Sequence, residues 1–97
     1  MGGMKHAFTF LAFALLATPA AAECYADYKA KQGDPVKFHY GVMQLADTSC
    51  GDQGAAQAEV SSRLNAAGWQ LLKLQSIFGP DVLNQKKADA GEFFLRY

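Results

Sequence analysis

An α+β fold follows from the order of patterned segments in the second half of this 97-residue chain. An alternating segment comes first, then a helical one, then two more apolar runs that read as strands. Two cysteines add a covalent tie near the start. The expected architecture is a three-stranded sheet in the order β-α-β-β, with one main helix packed on one face and an N-terminal segment tied by a disulfide.

The first 22 residues are set apart from that domain. Met-Gly-Gly-Met-Lys-His precedes an apolar run from Ala7 to Ala17, interrupted only by Thr9, and Ala20-Ala21-Ala22 follow Pro19. A basic start, an apolar middle and small residues at the end make residues 1–22 a signal peptide, with cleavage expected after Ala22. The apolar run is too short for a bilayer span of about 20 residues, and no later segment is apolar enough to form one. The processed chain is therefore expected to be periplasmic or secreted.

In an oxidising compartment Cys24 and Cys50 read as a disulfide. There is no Cys-x-x-Cys, and neither cysteine has His or Lys directly beside it, so a reactive thiol is disfavoured. Closing the loop between them removes about 3.5 kcal/mol of unfolded-state entropy in the chain-entropy treatment.

Within residues 23–35, Tyr25, Tyr28 and Gln32 share a helical face, and Ala, Lys and Asp are poor strand residues, so a short helix is expected there. Gly33 and Asp34-Pro35 stop it. The domain proper is then residues 36–97. Val36, Phe38, Tyr40 and Val42 alternate with Lys37, His39 and Gly41, which marks a strand over 36–45. Met43 and Leu45 fall on the other parity, so either a bulge sits near Gly41 or both faces are partly covered. The loop 46–54 carries Cys50.

Residues 55–67 form the clearest helix. Asp52 or Ser49 can cap it, Ala56, Val60, Leu64 and Ala67 make its apolar stripe, and Glu59 and Arg63 form an i, i+4 pair. Gly68 is its left-handed stop. A second strand spans 69–78 and ends at Gly79-Pro80. The stretch 81–91 is polar, with a single turn holding Val82 and Leu83. Glu92 to Tyr97 reads as a third strand, inserted between the first two and antiparallel to both. The first two are parallel through a crossover. The sheet face away from the helix lacks an evident cover. Tyr25, Tyr28, Phe94, Val82 and Leu83 are the candidate interaction surface there, with the N-terminal segment or a partner expected to lie over it.

The junction Leu64-Asn65-Ala66-Ala67-Gly68-Trp69-Gln70-Leu71-Leu72, with the closing Phe-Phe-Leu-Arg-Tyr, resembles a family of small bacterial domains of unknown function. That family has a β-α-β-β core and a Gly-Trp-Glu-Leu motif where helix meets strand. Gln70 stands here in place of Glu. The likeness spans Lys37 to Tyr97, gives Gly68 and Trp69 structural roles, and implies no catalytic residue.

Composition narrows the function. Nine Lys and Arg balance nine Asp and Glu, and the hydrophobic fraction of 51% with 19% charged residues is that of a globular chain. Zero net charge speaks against a nucleic-acid binder. Two Cys and two His are too few for a zinc finger, and no metal or cofactor site is expected. His39 is the one histidine beyond the leader and is expected to face water or the second sheet face. No serine lies in a Gly-x-Ser-x-Gly elbow, and Gly51 to Gly54 lacks the Lys and Ser/Thr of a phosphate loop. Lys86-Lys87 reads as loop charge. The expectation is a non-enzymatic interaction module or accessory subunit of a periplasmic or membrane-associated assembly, with a protein partner or homodimer. The alternative is a small-ligand binder with a pocket near Trp69.

Overall fold

The computed structural model describes residues 23–97. The leader expected over residues 1–22 lies outside the described residues. The fold is α+β, with a three-stranded antiparallel sheet, helices packed on it, and a Cys24–Cys50 disulfide with Cα atoms 5.8 Å apart. The elements are β1 (Tyr25–Gln32), β2 (Lys37–Gln44), α1 (Gln53–Ala66), β3 (Gln70–Phe78) and α2 (Leu83–Ala90), with single 3-10 turns at Asp47–Ser49, Pro80–Val82 and Gly91–Phe93. The strand order is β2-β1-β3.

The expected crossover is present. β2 and β3 each run antiparallel to β1, so they are parallel to one another across it. The strand between them is the N-terminal one, which corrects two expectations and turns the order into β-β-α-β. First, residues 25–32 are a strand and not a helix. Tyr25 and Tyr28 fit a helical spacing, but Ala26, Tyr28 and Ala30 also fit strand alternation. Pairing on both sides and full burial of those three side chains override the poor strand propensity of Ala, Lys and Asp. Second, Glu92–Tyr97 is not a sheet strand. Its start is a 3-10 turn, Leu95 has a positive φ of 56°, and pairing is limited to one parallel bridge, Val42 with Phe94. The segment lies along the outer edge of β2, where the Leu95 N–H donates to the Val42 carbonyl at 2.9 Å.

β1 and β2 pair without interruption from Tyr25–Gln44 to Gln32–Lys37. No bulge lies at Gly41, so the parity slip there comes from coverage of both faces. The turn between them opens with Gly33 at φ 75°, in the left-handed region that favours glycine. β3 pairs with β1 through two register shifts that leave Gln75 and Leu72 without partners.

On the first face, Ala56, Val60 and Leu64 of α1 pack on Ala26, Tyr28, Ala30, Met43, Leu45 and Leu74. This is the predicted stripe, less Ala67, which is exposed at the helix end. The Asp52 carboxylate accepts from the Ala55 N–H at 3.1 Å, and Gly68 at φ 86° ends the helix. Glu59 and Arg63 pair at 2.8 Å and tie α1 to its surroundings: Glu59 accepts from Ala46 N and Ser49 Oγ, and Arg63 donates to the Gln44 and Tyr97 carbonyls. On the second face, Leu83 and Ala90 of α2 and Phe94 pack on Tyr25, Tyr40, Val42 and Phe78. The expected single turn at Val82 and Leu83 is thus a two-turn helix that supplies part of the cover. Tyr25 and Tyr28 are almost wholly buried, at 4% and 0% exposure, which removes them from the candidate interaction surface. As members of the central strand they are packed under the covers rather than serving as one.

Tyr28 owes its place to Gly41, its partner across the strand pair. A Cβ at position 41 would fall 2.6 Å from Tyr28 Cζ, so the ring lies where a side chain would have been. Gly41→Ala should therefore destabilise the fold by about 1–3 kcal/mol, the usual penalty for overpacking a core. Urea denaturation monitored by Trp69 fluorescence measures it, and an unchanged midpoint would mean that the ring is free to move aside.

Candidate functional site

Three places concentrate polar or aromatic chemistry. The first surrounds His39, on the first face at the end of β2 nearest Trp69. Its ring stacks on Phe93 at 3.7 Å and 13° and meets Trp69 edge-on at 4.2 Å. A 2.9 Å hydrogen bond joins Nε2 to the Tyr28 hydroxyl, while Nδ1 is buried without a partner. The residue is 8% exposed. His39 therefore does not face water or the second sheet face, as its parity with Lys37 suggested. Residues 93 and 97, together with Trp69, close over it. Burial holds its pKa below the ordinary value, with the Arg96 charge acting in the same direction and Glu92 against it. The imidazole is thus held between rings with one nitrogen bonded to Tyr28.

The second place is the second-face carboxylate of Asp27, which is 3% exposed. Oδ1 accepts from Ser76 Oγ at 2.5 Å, and Oδ2 accepts from the Tyr40 hydroxyl at 2.9 Å and from Lys86 Nζ at 3.0 Å. Burial alone would raise the Asp27 pKa. The Ser76, Lys86 and Tyr40 hydrogen bonds and the Lys86 charge outweigh it and leave the group below its ordinary value. Burial and the Asp27 carboxylate push the Tyr40 phenol up, so it stays protonated. Lys86, read from sequence as loop charge, is instead the cation of this buried pair, and its ammonium lies 5.2 Å from the Phe78 ring centroid. Ser76 donates to a carboxylate too weakly basic to activate it, and the cluster ties all three strands to α2.

The third place is the half of the second face that α2 leaves open. Strand alternation puts Lys29 and Lys31 of β1 on that face with Phe38 and Tyr40 of β2 and Lys73 of β3. Leu72 bulges beside them, and Lys29, Phe38, His39, Tyr40 and Leu72 line a groove of about 560 Å³. Phe38 is 66% exposed, Leu72 46%, and Val36 in the adjoining turn 50%. Lys29 and Lys73 are direct cross-strand neighbours. Neither they nor Lys31 and Lys37 have an acidic partner, whereas Arg63, Lys86 and Arg96 are each paired and Lys87 lies over Phe94.

Of the residues singled out by sequence, Gly68 and Trp69 hold the helix-to-strand junction and cover His39. An open, mostly polar cleft of about 540 Å³ lies beside Trp69, between Gln32, Val36 and Asn65. Phe94, Val82 and Leu83 are half-buried on the covered half of the second face. The residues that sequence reasoning missed are Lys29, Lys31, Phe38, Leu72 and Lys73, and for structural reasons Asp27. Among the described residues no cluster of three or more His, Cys, Asp or Glu is placed to hold a metal ion, and no helix is long and apolar enough to cross a membrane.

Two outcomes follow. Because the folded state holds His39 neutral, its contribution to stability is complete above the unfolded pKa of about 6.5 and is lost as pH falls through the lower folded value. Melting temperature should therefore drop between neutral and mildly acidic pH. His39→Phe should flatten that slope, since Asp27 and Glu59, both held low, titrate only in more acidic solution. A slope unchanged in the variant would assign it to another group. Lys86→Met should cost about 2 kcal/mol in urea denaturation at neutral pH. That is less than for a fully buried pair, because the lysine side chain is 29% exposed.

No described protein family matches the chain, and no curated protein or solved structure is similar to it.

Proposed function

We propose that this chain is a small exported interaction module, an accessory component that docks through the open half of its second sheet face and performs no chemistry of its own. The observation that carries this reading is that three of the four exposed large apolar side chains among the described residues, Phe38, Leu72 and Val36, lie at one end of the sheet, the fourth being Leu95. Large side chains left in water at a strand-to-strand groove cost the protein solubility unless something lies against them. Export is supported by the Cys24–Cys50 disulfide and by the leader-like composition of residues 1–22. The absence of catalysis is supported by the engagement of the Asp27 carboxylate by Ser76, Tyr40 and Lys86 and by the burial of His39 beneath Phe93 and Trp69. A small-ligand reading is supported less well, because the Trp69 indole is engaged with His39 and Phe93 and the cleft beside it is polar and open.

A photo-crosslinking amino acid at position 38 tests the reading in cells, with position 57 on the exposed side of α1 as the control. Position 38 should give a discrete adduct, whether with protein or lipid, and position 57 none. Leu72→Ser should reduce the yield at position 38 while shifting stability by no more than about 0.5 kcal/mol, as for other exposed sites. Equal labelling at both positions, or none at 38 in a folded protein, would sink the proposal.

A further inference from the structure

Zero net charge conceals a segregation of charge along the molecule. From Tyr28 to Val42 the chain has three lysines and one acid, Asp34 in the turn, and from Trp69 to Gln75 it has Lys73 and no acid. These two stretches form the hairpin end of the sheet, because Gln32 pairs with Lys37 and Lys31 with Gln70. The opposite end is formed by the start of β1, the 3-10 turn at Asp47–Ser49, the cap of α1 and the turn after β3. It carries Glu23, Asp47, Asp52 and Asp81. Among the described residues, the four lysines of the hairpin end, Lys29, Lys31, Lys37 and Lys73, are the basic residues without an acidic or aromatic partner. Like charges directly opposite in neighbouring strands, as Lys29 and Lys73 are, weaken a sheet. An anion against the face would relieve that repulsion.

We infer that the docking partner is an anionic membrane surface, with Phe38, Leu72 and Val36 entering the headgroup region and Lys29, Lys31 and Lys73 meeting lipid phosphates. This rests on the docking reading above and names its partner. The residue types favour lipid over protein. Protein interfaces are depleted of lysine and enriched in arginine, whereas the unpartnered cations among the described residues are all lysine. A long lysine stem can lie on apolar surface while its ammonium reaches the headgroups. A few separated, protruding apolar side chains ringed by lysines suit shallow insertion into an interface, in the manner of amphipathic surface binders.

The experiment is cosedimentation of the disulfide-bonded protein, purified from cells that export it, with sucrose-loaded vesicles. One set is phosphatidylcholine alone, and the other about three parts phosphatidylcholine to one of phosphatidylglycerol, so that the surface potential is the variable. The protein should pellet with the anionic set and not with the neutral one, and salt should release it. Each lysine near an anionic surface contributes about a fivefold factor in partitioning, so Lys29→Gln/Lys31→Gln/Lys73→Gln should lose about a hundredfold. Phe38→Ala should also weaken binding, and Lys87→Gln, at a site away from the groove, should leave it unchanged. Retained melting temperatures guard against misfolding of the variants. Equal binding to both vesicle sets, an unaffected triple variant, or no binding to either would overturn the inference. If vesicles fail while position 38 crosslinks to a protein, the docking reading survives and only the lipid assignment falls. Retention of a single-stranded oligonucleotide with no vesicle binding would likewise replace lipid by nucleic acid.

Discussion

β1 is paired on both edges and covered on part of both faces, and every other element takes its position from that burial. A central strand must present one parity to each layer. Ala26, Tyr28 and Ala30 supply an apolar surface to α1, with small residues either side of one large ring. Asp27 on the other parity is a charge in the same buried strand, tolerable only because three donors converge on it. The disulfide fixes Cys24, the residue before the strand, to the turn that leads into α1. The Leu45 N–H, donating to the Cys24 carbonyl at 3.0 Å, extends the β2 pairing to the same point. Strand, helix approach and loop closure are thereby set at one end, and the hairpin end is left without a comparable clamp.

The two faces solve different problems. The first face is closed by a 14-residue helix with a proper cap and stop, then sealed at its open corner by Trp69, Phe93 and Tyr97 over His39. The second face has a cover of only eight helical residues and a short terminal segment, which reach as far as Asp27 and Tyr40. Lys86 is the last tie of that cover to the sheet. Beyond it, Lys29, Lys31, Phe38, Leu72 and Lys73 are left to solvent. The open surface is thus a consequence of cover length. That is why it consists of the same strand positions that are buried at the other end.

Much of the scaffold could be read from residue order. The helix over 55–67 announces itself by Asp52, the Ala56–Val60–Leu64 stripe and Gly68, all of which are local signals. The strands over 36–45 and 69–78 show alternation, and the cysteine pair admits one connectivity. What failed were segments whose local signal is ambiguous. Tyr25 and Tyr28 satisfy both a helical and an extended reading until the partners on either side are known. Phe93, Phe94, Leu95 and Tyr97 are apolar on both parities, which looks like a buried strand. It is instead a segment straddling the edge of β2, with Phe93 against His39 and Phe94 against the opposite face. The open surface was illegible for the same reason, since Lys29 and Lys31 share a face with Phe38 and Tyr40 only once residues 25–32 are a strand in register with β2.

Net charge misled in a more general way. A sum over the chain describes solubility and long-range attraction, but a surface responds to charges within about 10 Å, the screening distance in dilute salt. Arg63, Lys86 and Arg96 are neutralised within the fold by Glu59, Asp27 and Glu92. Subtracting those pairs, and setting aside Lys87 and Asp89 on α2, leaves four lysines and Asp34 at the hairpin end and Glu23, Asp47, Asp52 and Asp81 at the other, an asymmetry that a sum over the chain hides. Only an exposed pole can select a partner, and the apolar residues decide which pole does so. Val36, Phe38 and Leu72 are exposed at the lysine end, whereas Leu45 and Tyr25 at the acidic end are buried. Attraction and desolvation therefore coincide at one end of the molecule, and that coincidence is what distinguishes a docking surface from a merely charged one.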